Sequence, residues 1–329
     1  MSDSLLRQVA LVSQSKLIDP GDLAAVSAAL QKQATRDLPQ FWDINATVDA
    51  FPRLEDVPIG YWPIILMDDI DVAGAAGVHE DKDGQPFALV TASNDHNVWS
   101  LTTSHEMIEM LIDPFGNRLI AGDSPKPEQG RVQILVEPCD PSEAADFAYT
   151  VNGVLVSDFY STHFFDPVAT NGVRYSFTGA IKEPREVLRG GYLSWVDPTS
   201  GIWWQETWFD GDPQPSFRSL GKLNAQDGSI RSQVDRLTAK NTQQAHAGGL
   251  RAAQAAGLSL SKNSTATAAK AAQLRSQIDS LIGEHGRTGS GDSRSAGAPG
   301  GGAPNGEGKA MRRPPRADRP TARATSSLS

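Results

Sequence analysis

The stretch Ser104-His105-Glu106-Met107-Ile108-Glu109-Met110-Leu111-Ile112-Asp113-Pro114 gathers the residue types that do chemistry. His105 and Glu109 are four apart, so on a helix they stand on one face, one turn above the other. An imidazole nitrogen and a carboxylate oxygen held this way can grip one divalent metal ion. Glu106 projects beside that face and is placed to take a proton from a water on the ion. The plain alternative is a surface helix with an ordinary His–Glu pair. Met107, Ile108, Met110, Leu111 and Ile112 argue against it: they leave a broad apolar surface, and polar residues on a buried helix need a reason.

Two ligands on one helix leave an ion underheld, so a third must come from a later segment. Carboxylates follow 28 to 34 residues after Glu109, in Glu137-Pro138-Cys139-Asp140-Pro141 and Glu143. Glu137 is the first choice as third ligand. Asp140 would then accept a hydrogen bond from His105 and fix its tautomer. The reversed assignment, with Asp140 on the ion, stays open, as does a simple solvated acidic turn between two prolines. Asp113 lies about 12 Å along the helix from His105 and is better placed to cap the loop that follows. His79 and His96 read as loop histidines that could face a cleft. Tyr175 and Tyr192 could donate to an oxyanion, and nothing in the sequence selects between them.

Several elements must position these groups. Thr102, Thr103 and Ser104 can each supply an N-cap oxygen for the motif helix, and Pro114 stops it. Strands are expected over residues 8–13, 42–51, 61–67 and 86–92, with a helix from Pro20 to about Arg36. Residues 71–84 read as a Gly/Ala-rich loop ending in the Asp83-Gly84 turn signal. Residues 132–136 read as a strand that delivers Glu137, and Asn152-Gly153 marks a hairpin. Trp195, Trp203, Trp204, Trp208 and their aromatic neighbours over 173–210 read as short strands that fill a β-rich core. The expected fold class is α+β: a mixed twisted sheet with backing helices and the motif helix, then a β-rich aromatic subdomain, then a helical and disordered C-terminus. The expected domains are 1–114, 115–217, 218–286 and 287–329.

The histidine–glutamate pair with a ligand at i+4 is also the core of the H-E-x-x-H metalloproteases, here in the form H-E-x-x-E. Residues 60–200 resemble a largely uncharacterised group of bacterial and phage proteins with zincin-like metallopeptidase features. The resemblance is carried by Gly74-Ala75-Ala76-Gly77-Val78-His79, by Ser104 to Pro114, by Glu137 to Pro141, and by Val156-Ser157-Asp158-Phe159. It implies a zincin-like fold and a metal site. It also implies that the last strand before the motif helix, residues 86–92, is an edge strand open to a substrate peptide.

Composition narrows the rest. The 329 residues carry a net charge of −9, with eight Lys/Arg and three Asp/Glu in residues 287–329; that tail is +5 and the remainder −14. An acidic body argues against nucleic-acid binding by the globular part. The single cysteine, Cys139, excludes an intrachain disulfide and any zinc site needing two cysteines. No signal peptide or membrane-spanning run is read, so the default location is cytoplasmic, with phage association as the other expectation. Ile230, Val234 and Leu237, and again Leu274, Ile278, Leu281 and Ile282, form apolar helical stripes suited to self-association through 218–286. Residues 287–329 are low-complexity and read as disordered.

The leading expectation is a metal-dependent hydrolase acting on a peptide or protein substrate. His105, Glu109 and Glu137 would hold zinc, and Glu106 would be the general base. Two carboxylates with one histidine make a hard site, so manganese or iron could replace zinc. A non-catalytic zincin-like binding or structural protein, with a stabilising or vestigial ion, is the alternative. A calcium-stabilised module built on Glu137, Asp140 and Glu143 ranks lower, because His105 is a poor calcium ligand.

Overall fold

A computed structural model describes residues 6–238, apart from residues 73, 210 and 225. The second apolar stripe, Leu274 to Ile282, and the tail 287–329 lie outside the described residues. The chain is mixed α+β, with several sheets and few helices, as its patterning predicts.

The first sheet contains β1 (Arg7–Ser13), β2 (Ala46–Phe51), β3 (Trp62–Met67), β4 (Gly77–Lys82) and β5 (Gln85–Thr91). Their order is β2-β1-β3-β5-β4. β1 runs parallel to β2 and β3, and β3 runs parallel to β5; β4 alone is antiparallel. Val9, Ala10, Leu11 and Val12 of the central strand are all fully buried, which explains their unbroken apolar run. Helix α1 (Pro20–Lys32) connects β1 to β2. Its N-cap Asp19 accepts a hydrogen bond from the Gly21 N–H at 2.7 Å, and Leu23, Val26, Ala29 and Leu30 face the core.

β4 overturns the loop reading of residues 71–84. The Asp83-Gly84 pair has φ of 54° and 80° and joins β4 to β5 as a two-residue hairpin. β5 is therefore flanked by β3 and β4, and the edge strand is β4, not residues 86–92.

The motif helix α2 (His96–Ile112) starts well before Ser104. Its N-cap is Asp95, whose side chain accepts from the Asn97 N–H at 3.0 Å. Thr103, expected at the cap, instead sits inside the helix and donates back to the Trp99 carbonyl at 2.6 Å. Ser104 is also internal and fully buried. Its hydroxyl donates to Gln33 Oε1 at 2.8 Å and accepts from the Ser157 N–H at 2.9 Å. The helix ends at Asp113, before Pro114, as expected. The Asp113 carboxylate accepts from the Arg118 N–H at 2.7 Å and so shapes the following loop.

The second sheet has β6 (Leu119–Asp123), β7 (Arg131–Leu135), β10 (Tyr192–Asp197), β11 (Ile202–Thr207) and β12 (Ser216–Gly221), antiparallel in the order β12-β11-β10-β7-β6. A separate hairpin pairs β8 (Tyr149–Val151) with β9 (Val154–Val156) across Asn152-Gly153, with φ of 54° and 84°. Trp195 and Trp203 are buried, in keeping with aromatics that fill a core. The first apolar stripe forms helix α3 (residues 230–238). Val234 packs with Leu135, Val196 and Trp203 of the second sheet and Ile230 lies partly buried against them, while Leu237 stays exposed. The expected start of the helical appendage at residue 218 falls inside β12. Among the described residues, no helix is long and apolar enough to cross a membrane.

Candidate metal centre

α2 carries its two ligand candidates inward because one neutral network and one apolar seam hold it. Gln33, just past α1, is fully buried; its amide donates to Tyr149 Oη and the Ser157 carbonyl, each at 3.1 Å, while its oxygen accepts from Ser104. This pins α2 against α1 and β9. Met107, Ile108, Met110 and Leu111 are fully buried around the same helix. One turn beyond Ser104, Glu109 is left in the interior at 0% exposure.

Glu109 is the hub of an ionic cluster. Its Oε1 accepts from the Cys139 N–H at 3.2 Å, which leaves Oε2 to face the other groups. Glu109 Oε2 lies 3.2 Å from His105 Nε2 and 3.8 Å from His79 Nδ1. His105 Nε2 is also 3.2 Å from Asp140 Oδ1. Glu106 Oε2 is 3.4 Å from His79 Nδ1. Glu106 lies so close beneath β4 that a Cβ on Gly77 would meet its Cγ at 2.7 Å, so only glycine fits there. On the far side, a Cβ on Gly191, just before β10, would meet the Asp140 carbonyl at 2.6 Å, so the entry to β10 closes on the acidic segment equally tightly.

Two further residues enter the cluster: His79, which the sequence places in a loop that could face a cleft, and Arg231, which it does not mark. His79, on β4, is buried, and its Nε2 donates to the Asp113 carbonyl at 3.1 Å. That hydrogen bond leaves the Nδ1 lone pair turned into the cluster. Arg231, on α3, is 4% exposed. Its Nη1 contacts His79 Nδ1, lies 2.8 Å from Glu109 Oε2 and 3.2 Å from Glu137 Oε2, and is 3.6 Å from Glu106 Oε2. Its Nε donates to Asp235 Oδ2 at 3.3 Å.

The donor sets that converge differ from the expected His105–Glu109–Glu137 triad. Among the described residues, ligand atoms come within 4.8 Å of one another in three groups: His79, Glu109 and Glu137; His105, Asp140 and Glu143; and His105, Glu109 and Cys139. Glu137 thus meets Glu109 alongside His79 instead of His105. Asp140 stays beside His105, the position foreseen for either of its two roles. His96 is exposed on the first turn of α2 and joins none of these groups. Tyr175 spends its hydroxyl accepting from the Thr170 N–H at 2.7 Å. Tyr192 stands close enough for the charges of Asp140, Asp235 and Glu143 to add to the effect of burial and push its pKa well up.

The cluster has far more carboxylate than cation. Glu106, Glu109, Glu137, Asp140, Glu143 and Asp235 surround one guanidinium and two imidazoles. Burial would raise the Glu109 pKa, but the charges of His105 and Arg231 overcome it and hold the carboxylate ionised. The same contest, with Arg231 and His79 opposing burial, lowers the Glu106 pKa. Burial would lower the His105 pKa; the Glu109 charge and the hydrogen bonds to Asp140 and Glu109 lift it well above the ordinary value. Glu137 goes the other way: burial, helped by the neighbouring carboxylates, wins over Arg231 and raises it strongly. Burial and the Glu109 charge push Asp140 up to about 7, and desolvation with the Asp140 charge pushes Glu143 up to about 8. Glu137 Oε1 is buried without a hydrogen-bond partner, while Asp140 Oδ1 has only the His105 imidazole at 3.2 Å. Such atoms cost free energy unless a cation or donor reaches them. The chemistry of the donor set therefore fits a divalent ion bound by oxygen and imidazole. Cys139 fits less well: burial and the Glu109 charge raise its pKa well above normal, which keeps it a thiol.

Comparisons with protein-family models, with curated proteins and with solved structures give no match to this chain.

Proposed function

We propose that the protein is a metal-dependent hydrolase of zincin-like type that cleaves peptide bonds. The observation that carries this reading is the surplus of buried carboxylates around Glu109, with Glu137 Oε1 left unpartnered. The nest that best suits an ion is His79, Glu109 and Glu137. In each of the first two, one polar atom is tied to the main chain and the other faces the nest. His105 with Asp140 and Glu143 is the second nest, favoured by the 3.2 Å separation of His105 Nε2 and Asp140 Oδ1. Zinc suits either, and manganese or iron suits their oxygen-rich character.

A bound ion would supply a Lewis acid that polarises a carbonyl and acidifies a water. The rest is done by side chains. Glu106, an ionised carboxylate beside the first nest, takes the proton from the attacking water and hands it to the leaving amine. Gly77 keeps Glu106 in that position. His105, held cationic between Glu109 and Asp140, offers a charged donor to negative charge that builds on the substrate oxygen. A non-catalytic protein with the same fold is the second reading. It is favoured by the guanidinium that already partly neutralises the cluster.

The test is metal content by elemental mass spectrometry on the full chain, beside His79→Ala, His105→Ala and Glu109→Ala. About one ion per chain is expected, lost in Glu109→Ala and in one of the histidine variants, which identifies the nest. Absence of stoichiometric metal from the wild type after reconstitution would sink the metal reading. Cleavage of a mixed peptide library, with Glu106→Gln as control, then separates the hydrolase from the binding protein.

A further inference from the structure

We propose that helix α3 is an inhibitory strap: its Arg231 guanidinium fills the nest of His79, Glu109 and Glu137, so docking of α3 and binding of an ion exclude one another. The inference rests on the metal reading above and concerns how that site is controlled. Arg231 Nη1 contacts His79 Nδ1 and is 2.8 Å from Glu109 Oε2 and 3.2 Å from Glu137 Oε2. These are the atoms that an ion would need at about 2.0–2.2 Å. One nitrogen at their focus leaves no volume for it. The guanidinium supplies one positive charge where a divalent ion would supply two, and Glu137 Oε1 is still without a partner.

The strap has definite anchors. At its start, the Ile230 N–H donates to Asn117 Oδ1 at 2.9 Å and the Arg231 N–H donates to the Gly116 carbonyl at 3.0 Å. Gly116, at φ 59°, lets α3 come this close, because a Cβ there would meet Arg231 Cβ at 3.0 Å. In the middle, Val234 is buried against the second sheet. At Leu237, Arg218 donates to the main-chain carbonyl at 3.1 Å. The apolar hold is slight, since Leu237 is 49% exposed and, among the described residues of α3, Val234 is the one apolar residue that is fully enclosed. Few apolar contacts resist the lifting of α3, and the ion pairs of Arg231 that also hold it are contacts a divalent ion would replace. Once α3 lifts, the carboxylates lose their guanidinium and an ion takes its place.

The experiment is a zinc titration by calorimetry, with thermal melts, on the full chain as wild type, Arg231→Met and Val234→Asp. A nest that is open about a tenth of the time weakens apparent affinity about tenfold. Both variants should therefore bind zinc about tenfold more tightly or better, and their Tm should rise further than that of the wild type on adding zinc. Val234→Asp leaves every ligand in place and loosens only the docking, so it still reports if Arg231→Met does not fold. One zinc bound by the wild type with an unchanged Kd in both variants overturns the strap and leaves the metal site standing. Weaker zinc binding by Arg231→Met, with Val234→Asp like the wild type, makes Arg231 a support of the site and also overturns the strap. No zinc bound by any of the three removes both the strap and the metal reading.

Discussion

Two polar clusters sit one helical turn apart on α2, and they are built on opposite terms. The network of Ser104, Gln33, Ser157 and Tyr149 is neutral, and its hydroxyls and amide find partners at 2.8–3.1 Å. Tyr149 passes the chain on to Asp37 at 2.9 Å, and Arg36 pairs with Asp37. The cluster around Glu109 is ionic, crowded with carboxylates, and leaves Glu137 Oε1 without a partner. A satisfied network fixes one arrangement of the core. An unsatisfied one carries a free-energy cost that a donor or a cation would relieve. The first holds α2 in place; the second is the site proposed above.

Four changes should break or sharpen this contrast, the largest first. Glu106→Gln keeps the shape of the ionic cluster and removes the proposed base; under the hydrolase proposal, kcat on a cleaved peptide should fall about 100- to 10,000-fold with metal content unchanged. Gln33→Leu attacks the neutral network. It strands Ser104, Tyr149 and the Ser157 carbonyl and should cost about 3 kcal/mol in urea unfolding, to the same extent with zinc or chelator present. A loss that changes when zinc is added would mean that the two clusters are coupled.

Glu206 on β11 is a buried carboxylate outside both clusters, and it isolates the cost of burial alone. Desolvation pushes its pKa up to about 7. The folded state then holds a proton that the unfolded chain releases near the ordinary value, so this group's stabilising contribution is present at low pH and is lost as pH rises toward 7. Glu206→Gln should leave stability at pH 4 nearly unchanged and raise it by about 2 kcal/mol at pH 8, read from denaturant midpoints at the two pH values. A flat difference would show that Glu206 has a partner in solution. The smallest effect is expected for Asp95→Ala. It removes the N-cap of α2 and should cost about 1 kcal/mol, while zinc affinity stays the same because the cluster lies turns away.

The helix-borne part of the site was legible because i,i+4 spacing is a local property. His105 and Glu109 do meet at 3.2 Å, and Glu106 does project beside them. The start of the helix was misjudged because Ser and Thr at 102–104 looked like caps, whereas Asp95, an equally good cap residue, stands before Val98 and Trp99. His79 was misplaced by the Gly/Ala-rich run at 71–77. The correcting signal was present: Asp83-Gly84 flanked by two short strands is a hairpin, and a hairpin ending at Gln85 requires a strand over 77–82. The arginine is a different case. Ile230 and Val234 marked the helix, but no local pattern can show that Arg231 meets Glu109 from 122 residues away. Contacts of that kind belong to the tertiary fold. The ligand partner for Glu137 depends on the same tertiary facts: His79 is visible in the sequence as a histidine that could face a cleft, but its place on β4 and the approach of Arg231 are not.

The distances along the chain between Arg231 and its partners also set an order in time. Glu137 precedes it by 94 residues and His79 by 152. A ribosome builds at about 5–20 residues per second, from the N-terminus. Glu109, Glu137 and both imidazoles are therefore made seconds before the guanidinium that will sit among them exists. During that interval the nascent chain carries the acidic nest without the guanidinium that later occupies it.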